Sequence, residues 1–192
     1  SAEYKTLAEL GNTLQGLIEE GAFVKRGDKT KEVSSFGEAI EWLTHDAMWV
    51  AAVYKECGPE VASKLNIQAI QAIAPIEVKR FQKVLGIAAV NNFTTLQAFI
   101  SGAFDIVSGE FTDSRISSPS HNILRWHAVQ CFAYDGIKKM GMIEQYQCGI
   151  IERIEGWLNA LDIQYEVLPK IKGCHMHNSG ACKLDIQFFF EH

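Results

Sequence analysis

Two runs of alternating apolar residues near the end of the chain flank a short segment of cysteines and histidines, and this pattern constrains the fold most. Ile163, Tyr165, Val167 and Ile171 alternate along the first run, and Leu184, Ile186, Phe188 and Phe190 along the second. A period of two marks a strand buried on one face, so the runs predict a hairpin. Its tip is Cys174-His175-Met176-His177-Asn178-Ser179-Gly180-Ala181-Cys182. Pro169 is tolerable only on an edge strand or at a bulge, because it cannot donate to a ladder. A hairpin with one apolar face needs a cover, and the rest of the chain must supply it.

Helical periodicity dominates upstream. Tyr4, Leu7, Leu10, Leu14 and Leu17 share one face of a helix over 4–20, followed by a charged loop over 24–34. Ser35 and Glu38 form a capping box, after which Phe36, Ile40, Leu43, Ala47, Val50 and Tyr54 follow at helical spacing. Gly58-Pro59 stops that helix. A short helix is predicted over 59–65 and another over 67–85, bent or split at Pro75 and capped by Gly86. Segment 94–107 is expected to be helical in its first half.

Beyond Gly109 the texture changes to a strand over 110–116, a turn at 117–120 and a second strand over 122–131. A long helix over 133–161 then carries Ile143, Ile150, Ile151, Ile154, Trp157, Leu158 and Leu161. The expected fold is α+β: N-terminal helices packed on an antiparallel sheet made of two hairpins separated by a long helix. No linker or repeat interrupts the chain. It reads as one domain over 1–192, with 1–34 an N-terminal helix and loop and 35–192 the helices and sheet.

Charge excludes some partners. Eighteen basic residues face 23 acidic ones, with no basic stripe, so a nucleic-acid partner is not expected. No apolar run reaches bilayer length and no secretory leader is read, so no membrane role is expected. The cysteines number five, at 57, 131, 148, 174 and 182. An odd count in a chain this long argues against a disulfide framework and for a reducing cytoplasm.

In that compartment clustered Cys and His point to metal. Cys174, His175, His177 and Cys182 lie within nine residues, and Cys148 stands 26 residues (174 − 148) before Cys174. Zinc favours thiolate and imidazole donors in a tetrahedron. Cys148, Cys174 and Cys182 with His177, or alternatively His175, would complete a closed site that is structural rather than catalytic. Strand alternation would put Cys174 and Met176 on one face and both histidines on the other. The competing reading is a set of buried thiols beside a wet loop. Cys131 is a looser possibility, sharing a strand face with His127, and Cys57 looks structural.

Trp126 and His127 must point to opposite sides of their strand, so one of them faces the helices. With Phe99, Trp49 and Arg125 they are the candidate ligand-binding residues, Trp42 serving only as wall. An apolar cavity with one or two placed donors is the usual small-molecule site. Plain core packing explains Trp126 equally well. Arg115 or Arg125 could hold a carboxylate, although a solvated sheet face is the simpler account. No phosphate loop, nucleophile elbow or Ser/His/Asp arrangement is present.

The element order and the cysteine spacing, 26 and then eight residues (182 − 174), resemble the 4-vinyl-reductase domain superfamily over roughly 35–190. That superfamily shares its fold with transport-protein-particle subunits and includes sensors of aromatic compounds. The resemblance implies a zinc held by three cysteines and a glutamate beside an aromatic-ligand pocket, with a strand tryptophan donating to the ligand. Here Ile171 stands where those sensors carry the glutamate, so a histidine must replace it or the site is incomplete. HDAMWVAAVYKECGPEVASKLN at 45–66, GWLNAL at 156–161 and GACKLDIQF at 180–188 are similar to bacterial proteins grouped with L-2-amino-thiazoline-4-carboxylate hydrolases.

Three functions are therefore expected in turn. The first is a zinc-stabilised cytoplasmic protein binding a small apolar or aromatic ligand between helices and sheet. The second is a hydrolase of small cyclic C–N or C–S compounds, with no catalytic residue identified. The third is a homodimeric scaffold with a filled core.

Overall fold

The computed structural model describes residues 35–107, 112–170 and 172–190. The helix expected over 4–20 and the loop over 24–34 lie outside the described residues, as does the Trp42 side chain. The chain runs α1 (Ser35–Cys57), α2 (Pro59–Leu85), α3 (Phe93–Val107), β1 (Thr112–Ser120), β2 (Ile123–Cys131) and α4 (Phe132–Lys139). A 3-10 turn (Ile143–Gln145), α5 (Gly149–Ala160), β3 (Gln164–Leu168), α6 (His175–Ser179) and β4 (Cys182–Phe189) follow. This is the α+β architecture the sequence predicts, with three helices preceding the first strand. Among the described residues no helix is long and apolar enough to cross a membrane.

Several boundaries differ from the sequence reading for identifiable reasons. The two helices expected over 59–85 are one, because Pro75 is accommodated inside α2 on its exposed side. Segment 94–107 is helical throughout. The long helix over 133–161 is broken instead. Gly141 takes a left-handed φ of 70° and the Met142 N–H bonds the Ile137 carbonyl at 3.1 Å, a stop that ends α4. Cys148 consequently stands at the N-cap of α5 and not within a helix. Ser117 to Ser120 are strand, and the turn falls at His121-Asn122, where Asn122 takes a φ of 58°.

The sheet is antiparallel with strand order β1-β2-β4-β3, so the two hairpins meet through β2 and β4. Trp126 pairs with Leu184 and Ala128 with Cys182. Leu124, Trp126, Ala128, Leu184, Ile186 and Phe188 are buried, and alternation turns Arg125, His127, Lys183 and Asp185 outward. Short β3 forms one edge, and Pro169 falls just beyond its end.

Helices cover the inner face. Phe81 packs edge-on against Trp157 with ring centroids 5.3 Å apart, and Phe104 lies over Trp126 at 4.6 Å. α2 and α5 approach closely because position 156 is glycine: a Cβ there would lie 2.8 Å from the Ala74 Cβ. The same pair of helices holds a buried carboxylate. Glu77 receives both nitrogens of the Arg153 fork and, at 2.7 Å, the Trp157 indole N–H. Every demand of that group is met, which is the condition for burying a charge.

Candidate metal centre

Four cysteines from four chain segments face one small cavity, and each is placed by a local feature. Cys182 opens β4 on its buried face, opposite Ala128. Cys174 and Cys148 are the N-cap residues of α6 and α5. Cys131 ends β2 and is the N-cap of α4.

Strict alternation from Trp126 and Ala128 would turn Cys131 outward with His127, the face they were expected to share. The pairing of β1 with β2 shifts register there: Asp113 opposes Gln130, but the next residue, Ser114, opposes Ala128. Val129 is the extra residue of a bulge. A bulge advances the side-chain phase by one, so Cys131 is buried with Trp126 and Ala128 while His127 stays on the outer face. The correction separates Cys131 from His127 and brings it to the other thiols.

The cavity is about 10 Å³, room for a single water-sized body or an ion. Cys131, Cys148, Cys174 and Cys182 line it with His175, Met176, Tyr146 and Trp126 among its walls. Burial pushes the Cys148 thiol up to about 12 and the Cys182 thiol up to about 11, and it raises Cys131 as well. The groups also act on one another. Charge on Cys131 is felt at Cys148 and Cys182, charge on Cys174 at Cys131 and Cys182, and charge on Cys182 at Cys148. Opposing these effects, main-chain groups of Ala133 and Tyr134 favour the Cys131 thiolate, and those of Ile150 and Ile151 favour the Cys148 thiolate. Those residues open α4 and α5, where helix N–H groups lack intrahelical partners.

Two buried polar atoms among the described residues lack a hydrogen-bond partner, Trp126 Nε1 and His175 Nδ1, and both residues line this cavity. The Trp126 N–H makes no bond of normal geometry, yet it acts on the Cys182 sulfur and favours its thiolate. Unpaired buried polar atoms are uncommon because each forfeits its hydration. Here the donor set is soft sulfur and imidazole, the chemistry zinc prefers. As the side chains stand, no three His, Cys, Asp or Glu residues among those described are grouped tightly enough to hold an ion.

The histidines separate. The alternation expected for the tip fails because residues 175–179 form a helical turn, which buries Cys174, His175 and Met176 together and leaves His177 outside. His177 Nε2 lies 3.1 Å from Glu144 Oε1 at the surface. Burial lowers the His175 pKa.

The candidate ligand residues are not gathered in one place. A second cavity of about 10 Å³ lies between α3, α5 and the sheet, walled by Phe104, Ile116, Trp126, Ile154, Leu158 and Ile186 among others. Trp126 touches both cavities. Phe99 is fully buried core, and Trp49 is 66% exposed on α1. Arg125 is on the outer face in a two-pronged ion pair with Asp185, at 2.6 and 2.7 Å. Arg115 is opposite His127 in the ladder and 4.0 Å from Asp113.

Sequence reasoning passed over the Glu77–Arg153–Trp157 cluster. Its signal was available: Glu77 sits within the buried stripe Ala74, Val78 and Phe81, and Arg153 lies one turn before Trp157.

The fold and site thus define an α+β domain built around a thiol-lined cavity. The chain belongs to a family of unknown function (DUF6125), whose model matches residues 28–181. Residues 1–47 also match the insert domain of the DNA gyrase B subunit, a stretch too short to assign the chain. No solved structure matches it.

Proposed function

We propose that this chain is a metal-stabilised binding domain, in which zinc held by Cys148, Cys174 and Cys182 with a further donor from the same cavity clamps α6 and the start of α5 to the sheet. The observation that carries the reading is the convergence of thiols from separate segments on a cavity that also contains two unpartnered buried polar atoms. Closing the site requires the sulfurs to draw together around the ion as their protons leave. Such a closed site would be structural and would contribute directly to folding. Zinc analysis of protein purified without added metal tests it. One equivalent is expected, and full occupancy in the Cys174→Ser variant would overturn it.

The ligand part of the reading concerns the apolar cavity between α3, α5 and β2. It has room for one water-sized body, so an aromatic ligand must displace Phe104 from its place over Trp126. Isothermal titration with phenol or toluene, against protein carrying Phe104→Ala, measures whether vacating that place creates a site. No heat in either protein would leave this core as packing alone.

A second reading as a homodimeric scaffold is favoured by the filled core and by exposed Met48 and Trp49 on α1. Light scattering across a hundredfold concentration range decides it, a monomer mass throughout counting against it. The hydrolase reading has less support, since Arg125 is already paired with Asp185 and stands apart from both cavities.

A further inference from the structure

We infer that Cys131 supplies the fourth ligand, so that the metal site is a four-thiolate centre of Cys131, Cys148, Cys174 and Cys182. The inference rests on the metal reading above and identifies the donor which that reading leaves unnamed. Sequence periodicity assigns Cys131 to the outer face; the bulge at Val129 brings it to the buried face, where Ala128 pairs with Cys182. It lines the cavity with the other three cysteines.

Charge balance favours a fourth sulfur at this place. A divalent cation with four thiolates leaves a double negative charge to be buried, and the surroundings offer donors for it. Cys131, Cys148 and Cys174 each cap a helix N-terminus, and none of the three caps is satisfied by a side-chain hydrogen bond. A thiolate at Cys131 or Cys148 can accept from the first-turn amides of α4 or α5. The unpartnered Trp126 N–H then becomes a donor to sulfur at Cys182, which resolves one of the two orphaned atoms. α4 has eight residues and α5 has 12, long enough to present such amides.

The competing donor is His175. Its ring lines the cavity and its Nδ1 is unpartnered, but it follows Cys174 directly in the five-residue α6, whereas Cys131 comes from the end of β2, a segment that supplies no other ligand. A neutral imidazole would also leave a site with a single negative charge, requiring fewer of the donors that face it.

Proton release separates the two. Zinc binding to four protonated thiols displaces four protons, Zn²⁺ taking the place of the S–H hydrogens with no change of oxidation state. Three thiols and a neutral histidine displace three. Metal-free protein titrated with zinc chloride at pH 7 in two buffers of different ionisation enthalpy is expected to release close to four protons per zinc. Cobalt substitution should show sulfur-to-metal charge-transfer absorption falling to about three quarters in the Cys131→Ser variant, with zinc affinity reduced on the order of a hundredfold or more. His175→Gln is expected to leave proton count and affinity unchanged. Three protons per zinc in the native sequence, or a hundredfold loss in His175→Gln, would overturn the assignment of Cys131 while leaving the metal reading intact. Failure of the native chain to bind zinc at all would remove both. The native-chain proton count and His175→Gln decide the matter even if Cys131→Ser does not fold.

Discussion

Two buried polar clusters both draw on helix α5, and they are built to opposite rules. Between α2 and α5, Glu77 is 6% exposed and takes three donors from Arg153 and Trp157. At the N-termini of α4 and α5, four thiols line a cavity where an indole N–H and an imidazole nitrogen have no partner. Both clusters bury polar groups at a cost in hydration. The first recovers that cost within the chain and has nothing left to offer a ligand. The second is incomplete in itself, and a soft cation is the addition that would complete it. On the proposed reading, satisfaction of polar groups separates a structural cluster from a binding one more sharply than their residue types do.

The largest effect that can test this contrast is removal of the proposed zinc. Chelation is expected to lower stability by about 4 kcal/mol where free zinc had stood a thousandfold above its dissociation constant, a fall in Tm of roughly 10 °C. Differential scanning calorimetry with and without chelator measures it, and identical Tm values would place the two clusters in the same class.

Glu77→Ala attacks the other cluster. It strands the Arg153 guanidinium and the Trp157 N–H and should cost about 3 kcal/mol in urea unfolding, with zinc content unchanged. Zinc loss in that variant would mean that the clusters are one unit. Gly156→Ala inserts a methyl where only 2.8 Å separates it from Ala74, and a loss of about 2 kcal/mol is expected from the strained α2–α5 contact.

Alkaline pH should distinguish the clusters without mutation. In metal-free protein the raised pKa values of Cys148 and Cys182, about 12 and 11, exceed the unfolded thiol value of about 8.5. The unfolded chain then ionises first. Stability is full below about pH 8.5 and is lost as pH rises through 11 to 12. Zinc-loaded protein should lack this decline, because its thiols are already ionised; a parallel decline in both forms would argue against thiolate ligation.

The smallest effect lies on the outer face. Arg125 holds the Asp185 carboxyl below its ordinary range, so this pair adds stability above the unfolded carboxyl value of about 3.9. That contribution is lost as pH falls through the lower folded value. Acid unfolding of Arg125→Met should begin at slightly higher pH than that of the native chain. Zinc content near neutral pH should be the same in both, since Arg125 touches neither cavity.

Much of the architecture was legible in the sequence because period-two and helical patterns are local. The alternation of Leu184, Ile186 and Phe188 correctly gives the buried face of β4, and Gly58-Pro59 marks the boundary between α1 and α2. The separation of Trp126 from His127 across the sheet was likewise readable, since neighbours on a strand must diverge. Local pattern failed where a single residue changed the phase. Gly141 ended a helix that apolar spacing continued, and one helical turn at 175–179 replaced the expected strand alternation, dividing His175 from His177.

By itself, then, the sequence determined the α+β class, the strands that carry the apolar faces and the spacing that singles out Cys148, Cys174 and Cys182. Tertiary structure alone decided that Cys131 joins them and that Arg125 and Trp49 stand apart from the cavity. The physical reason is that strand phase is inherited along the chain only until the ladder slips. The bulge at Val129 arises from how β1 pairs with β2, a relation between two strands that neither strand's own residues encode.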